Sequence, residues 1–145
     1  MGNIDYIKRI AELTREFIIF KFKESECKCA VSSTLISLVL KNKQIKSEIH
    51  QNEFHAFVFC EDHIIDVTAD QFGKEYDKVC VIHFDKIKNS KLNYIWDTID
   101  KFDCPGKFLT YQHKIESGWP EDQILTHYKE LDVEYLDFLR LNEAI

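Results

Sequence analysis

The chain is poor in the residues that mark linkers and phosphate cradles. With 4 Gly and 2 Pro in 145 residues, it has no linker-like or collagen-like tract and no glycine-rich loop of the P-loop or dinucleotide type. Basic charge is short as well. The 19 Lys and Arg stand against 25 Asp and Glu, a formal net charge of -6, whereas a protein that neutralises many phosphates carries the opposite sign. Nucleic acid is therefore not an expected partner. Apolar runs are also short: Phe17 to Phe20 is among the longest, far below the ~20 residues that span a bilayer, so no membrane partner is expected. The opening Met1-Gly2-Asn3-Ile4-Asp5-Tyr6 lacks the basic lead-in and apolar stretch of a secretory signal, and Tyr6 stands where a myristoylation pattern needs Ser or Thr. The five cysteines, Cys27, Cys29, Cys60, Cys80 and Cys104, are odd in number, and Cys60 and Cys80 lie in apolar runs where cysteine acts as a small hydrophobe. The expected setting is reduced and cytoplasmic, or reached by an export route that cleaves no signal peptide.

The rest of the composition, 45% hydrophobic, 13% aromatic and 30% charged, is that of one globular domain over residues 1–145. Ile4, Ile7, Ile10, Leu13 and Phe17 form one stripe at helical spacing, an amphipathic helix facing a core. Polar Glu24 to Lys28 ends that pattern. Ala30 to Leu40 is apolar nearly all round and reads as a buried central helix, its β-branched residues leaving a strand open. From residue 44 onward the period shortens. Ile45 to Ile49, Phe54 to Cys60, His63 to Val67 and Val79 to Phe84 have strand length and β-branched or aromatic content, an antiparallel sheet in sequence order. Leu92 to Phe102 and Glu121 to Leu141 return to helical spacing, the latter behind Pro120. The fold class is α+β, with N-terminal helices on an antiparallel sheet and further helices at the C-terminal end.

Cys29 falls where the polar segment meets the buried helix, at a helix N-terminus. Unpaired N–H groups and the positive end of the helix dipole favour a thiolate there, and the same N–H groups can hold an oxyanion. A thiolate needs an imidazole, and the imidazole an acceptor on its second nitrogen. Phe54 to Cys60 and His63 to Thr68 flank Glu61-Asp62 and read as a hairpin with a two-residue turn. If Cys60 pairs with His63, Asp66 lies opposite Phe57, and His55 becomes its diagonal neighbour on the same face. Asp66, set among Ile64, Ile65 and Val67, must be paired or hydrogen-bonded if buried. Cys27 is the rival nucleophile, two residues earlier. Gln71 could donate to an oxyanion or cap a turn, and Thr68 and Asp70 suit hydrogen bonds in the turn after the strand. Cys27-x-Cys29 with His55, His63 or Cys60 lacks the spacing and second pair of a structural zinc site, so neither metal nor cofactor is expected. Asp97, Asp100 and Asp103, and Glu130, Asp132, Glu134 and Asp137, read as solvated acidic faces. Trp96, Trp119 and Tyr111 read as core or rim residues, and His113 and His127 suggest no role.

The strings Cys29-Ala30-Val31-Ser32-Ser33, His55-Ala56-Phe57 and Ile65-Asp66-Val67-Thr68-Ala69-Asp70-Gln71-Phe72 resemble the Cys, His, Asp order of papain-like and transglutaminase-like cysteine enzymes. They are most similar to small bacterial or phage members with D-x-T-A-D-Q-F after the histidine strand. The likeness covers roughly residues 25–75. Lys28 stands where a glycine is common and Phe57 where a tryptophan is. The resemblance implies a Cys29, His55, Asp66 triad performing acyl transfer through a thioester: as thiol protease, amidase or deamidase hydrolase with water, or as transglutaminase or N-acyltransferase with an amine. The substrate would be a protein, a peptide or a small amide or acyl compound, with Gln71 and Thr68 as oxyanion or substrate-binding candidates. The competing reading is a catalytically silent binding or inhibitory module of the same fold with an acidic interaction face. Oligomeric state leaves no mark in the sequence.

Overall fold

The computed structural model describes residues 3–26, 28–102 and 117–145. Helix α1 (Asn3–Phe22) buries Ile7, Ile10, Leu13, Phe17 and Ile18, the stripe that its sequence period marks out. It stops at Lys23, whose φ of 68° is left-handed and cannot continue a right-handed helix. Helix α2 (Cys29–Asn42) is helical rather than extended, and buries residues on most of its circumference. Gln44, at φ 59°, turns the chain out of it.

Strands β1 (Glu48–Gln51), β2 (Ala56–Cys60), β3 (His63–Asp66), β4 (Cys80–His83) and β5 (Asp100–Phe102) form one sheet in the order β4-β3-β2-β1-β5, every pair antiparallel. The β2–β3 register pairs Cys60 with His63. Glu61 and Asp62 both take positive φ, 49° and 62°, the pattern of a type I′ turn whose twist matches the flanking strands. Two-residue closure thus comes from a pair without glycine.

Both faces of the sheet are covered. Val58 and Ile65 join α1, α2 and the C-terminal helix α3 (Glu121–Leu141) in one core; Phe57 and Ile64 join Tyr76, Ile95 and Trp96 in the other. Burial on both sides explains why β2 and β3 read as continuous apolar runs rather than alternating ones. Across the first core, the Thr14 hydroxyl bridges the Ile10 carbonyl and the Tyr135 hydroxyl, each at 2.7 Å, joining α1 to α3.

The helix expected over Leu92 to Phe102 is not formed. Lys91–Trp96 is a short 3-10 helix, capped at its start by the Ser90 side chain, and Asp97 turns extended. The side-chain amide of Asn52 takes the Ile95 and Asp97 carbonyls, both at 2.9 Å, and Ile99 N–H bonds the Gln51 carbonyl. The edge of β1 thereby recruits residues 100–102 as a fifth strand, and Asp97 and Asp100 share no helical face. Asp103, like Cys27, Cys104, Tyr111 and His113, lies outside the described residues. Among those described, no helix is long and apolar enough to cross a membrane.

Candidate active site

The site lies at the end of the sheet where β2 begins and β3 ends. His55 immediately precedes β2 in a bend that Asn52 organises. The Asn52 Oδ1 accepts from Phe54 N–H at 3.1 Å and His55 N–H at 2.9 Å, while the Asn52 backbone N–H bonds the His55 carbonyl at 2.9 Å. This Asx turn fixes the backbone on which the imidazole stands. Asp66 is the last residue of β3. The register brings the two side chains together: His55 Nε2 lies 2.5 Å from Asp66 Oδ2, with both side chains almost wholly shielded from water.

Asp66 is not left to histidine alone. The Trp96 indole N–H donates to the same Oδ2 at 2.8 Å, and Thr68 N–H donates to Oδ1 at 2.9 Å, with the Thr68 hydroxyl at 3.4 Å. Each carboxylate oxygen therefore has a donor, as a buried carboxylate requires. Trp96 is itself held edge-on by Tyr76, ring centroids 5.6 Å apart. Thr68, fully buried, serves here as a donor to Asp66.

With Nε2 engaged, Nδ1 is the ring nitrogen left for a nucleophile. It is buried and makes no formal hydrogen bond among the described residues. Cys29, half-buried as the first residue of α2, lies near enough to bear on the ring's protonation. Burial by itself lowers the His55 pKa; the hydrogen bond and negative charge of Asp66, with a further contribution from the nearby Cys29, outweigh it and raise the value to about 9. The imidazolium is thus the favoured form at neutral pH.

No side chain caps the N-terminus of α2, whose cap position is Lys28. The first-turn N–H groups are therefore not taken by a capping side chain and can face an anion. The Lys28 ammonium is drawn aside over the Phe22 ring, 5.2 Å from its centroid.

The remaining polar residues of the Asp66 to Phe72 string also have positions that explain them. Asp70 forms a two-pronged ion pair with Arg15, at 2.7 and 3.0 Å, and accepts from the Ser25 hydroxyl at 3.2 Å, while Arg15 also donates to the Val67 carbonyl at 3.0 Å. This ties the segment that leads into Cys29 to α1 and to the turn after β3. Gln71 donates to the Thr68 carbonyl at 3.0 Å and lines an open groove of about 450 Å³ with Arg15, Lys23, Glu24 and Ser25. Phe72 meets the His55 ring edge to face, centroids 4.8 Å apart.

The other described cysteines differ from Cys29. Burial lifts Cys60 to about 11 and Cys80 to about 12, leaving both as protonated, unreactive thiols at neutral pH. No group of three or more metal-ligating side chains gathers among the described residues.

The chain matches no family model, no curated protein and no solved structure. Three of the residues that shape the site, Asn52, Trp96 and Arg15, carry no motif. The signals available for them are physical: an Asn in the short connection four residues before a strand invites an Asx turn, and a buried indole N–H needs an acceptor.

Proposed function

We propose that this chain is a cysteine-dependent acyl-transfer enzyme with a papain-like or transglutaminase-like core, in which Cys29 is the nucleophile, His55 the base and Asp66 the group that orients the base. One observation carries the reading. A buried imidazole is held through Nε2 by a fully hydrogen-bonded carboxylate, and its other nitrogen is left to a cysteine at a helix N-terminus without a side-chain cap.

In this mechanism His55, protonated on both ring nitrogens, pairs through its Nδ1–H with the Cys29 thiolate, which adds to the carbonyl of an amide, thioester or related acyl donor. The N–H groups at the start of α2 stabilise the oxyanion. Collapse of the tetrahedral intermediate breaks the bond to the leaving group, which departs with the proton from His55. Water or an amine then attacks the thioester with His55 as base, releasing the acyl product and restoring the thiolate. Asp66 holds the imidazolium through Nε2. Trp96 and Thr68 act as positioning residues through Asp66.

The test is the pH dependence of alkylation at Cys29, followed by peptide mass spectrometry in wild type and His55→Ala. Fast modification below pH 7 that is lost in the variant is the expected result. A Cys29 that reacts like a free thiol near ~8.5 in both proteins, or not at all until the chain unfolds, would sink the enzyme and leave a silent binding module of the same fold.

A further inference from the structure

Beside His55, three aromatic rings from three separate segments form a continuous strip. Phe72, at the end of the turn after β3, packs its edge on the His55 ring; Phe54, from the Asx turn, lies 5.6 Å from Phe72; Tyr94, from the 3-10 helix Lys91–Trp96, lies 6.4 Å from Phe54. Phe54 is 50% and Tyr94 49% exposed, so about half of each ring is open to solvent. Neither is a floppy surface residue. Asn52 fixes both supports, accepting from Phe54 N–H and donating to the carbonyl of Ile95, next to Tyr94. Other exposed apolar residues, such as Leu125 and Val133 on α3, are of the scattered kind that any surface carries.

We propose that this strip is the acyl-donor subsite, and that it takes an uncharged aromatic or aliphatic group of the substrate attached next to the carbonyl that Cys29 attacks. This rests on the acyl-transfer reading of Cys29 and adds the substrate class to it. The occupant follows from the rings. They touch one another, leaving no enclosed gap of the sort that cages a cation, and no cation lies over any of the three among the described residues. An apolar group laid on them covers surface that the fold leaves wet beside a buried catalytic pair.

The experiment compares three electrophiles at Cys29 of the full chain by peptide mass spectrometry: iodoacetamide, N-benzyl iodoacetamide and a trimethylammonioethyl iodoacetamide. Each forms an S–C bond and releases iodide, and rates are normalised to those with glutathione. The benzyl reagent is expected to react about tenfold faster than iodoacetamide and to saturate, the low end of what one apolar group contributes in a pocket. That ratio should fall toward one in Phe54→Ala and Tyr94→Ala, in part in Phe54→Leu, and persist in Leu125→Ala. A wild-type ratio near one, a ratio that survives both ring deletions, or a preference for the cationic reagent would overturn the subsite. If iodoacetamide modification proves independent of His55, the acyl-transfer reading falls, while a benzyl preference that still depends on Phe54 and Tyr94 supports the strip as a binding site.

Discussion

Replacing Asp66 by asparagine should change how stability varies with pH. In the folded protein His55 titrates at about 9, against ~6.5 in the unfolded chain. Below pH 6.5 both states carry the proton and the pairing stabilises the fold in full. Between 6.5 and 9 only the folded state holds it, so stability falls as pH rises, by about 1.4 kcal/mol per unit and on the order of 3 kcal/mol across the window. In Asp66→Asn burial still disfavours the imidazolium while its main anionic partner is gone, so the His55 pKa should drop by about 1–3 units. An amide also presents N–H₂ where one carboxylate oxygen stood. Whichever way it turns, it opposes either the Trp96 indole N–H or the Thr68 N–H, which adds the ~1–3 kcal/mol of an unsatisfied buried donor at every pH. Urea unfolding followed by far-UV circular dichroism from pH 6 to 9.5, with NMR titration of the His55 ring, gives both quantities. The variant should be less stable throughout, with its deficit largest at the acid end and shrinking as pH approaches 9. Stability curves that run parallel between pH 6.5 and 9 would refute the assignment of the His55 shift to Asp66.

Cys29→Ala removes the second group that raises His55, so its ring should titrate below about 9 with the global fold intact; an unmoved titration by NMR would show that Cys29 and His55 are not coupled. Trp96→Phe keeps a ring against Tyr76 but removes the donor to Asp66 Oδ2, and should cost about 1–3 kcal/mol in urea unfolding while slowing Cys29 alkylation; stability loss without any change in Cys29 reactivity would make Trp96 purely structural. Arg15→Met leaves Asp70 partly buried without its ion pair, and should destabilise by about 1–3 kcal/mol. Its signature would be faster amide exchange at residues 24–28 and 67–71, and unchanged exchange there would argue against the tie. Cys60 and Cys80, with pKa values of about 11 and 12, should resist iodoacetamide at pH 8 until denaturant is added.

Local chemistry explains which parts of this arrangement could be read from the chain. The helical stripes of α1 and α3 survive because each buries one face along its length. The His55 and Asp66 encounter was legible because a two-residue turn at Glu61-Asp62 fixes every pairing after it, and the observed Cys60 to His63 pair is the one that arithmetic requires. Leu92, Ile95, Trp96 and Ile99 misled because helical spacing says nothing about competition for carbonyls. Asn52, more than forty residues upstream, takes two of them, and the edge of β1 offers the following segment a better ladder. Trp96 was hidden for the same reason: an indole in an apolar stretch reads as core, and only the folded chain shows that its N–H meets the buried Asp66 carboxylate. Asp66, flanked by Ile64, Ile65 and Val67, already implied unseen donors. The sequence can thus state that such donors are required, whereas which residues meet the requirement depends on contacts across 30 positions of chain, between Asp66 and Trp96. Polar groups that answer one another over that distance leave no period and no spacing to detect, and at this site they are the groups that hold the His55 imidazole in place.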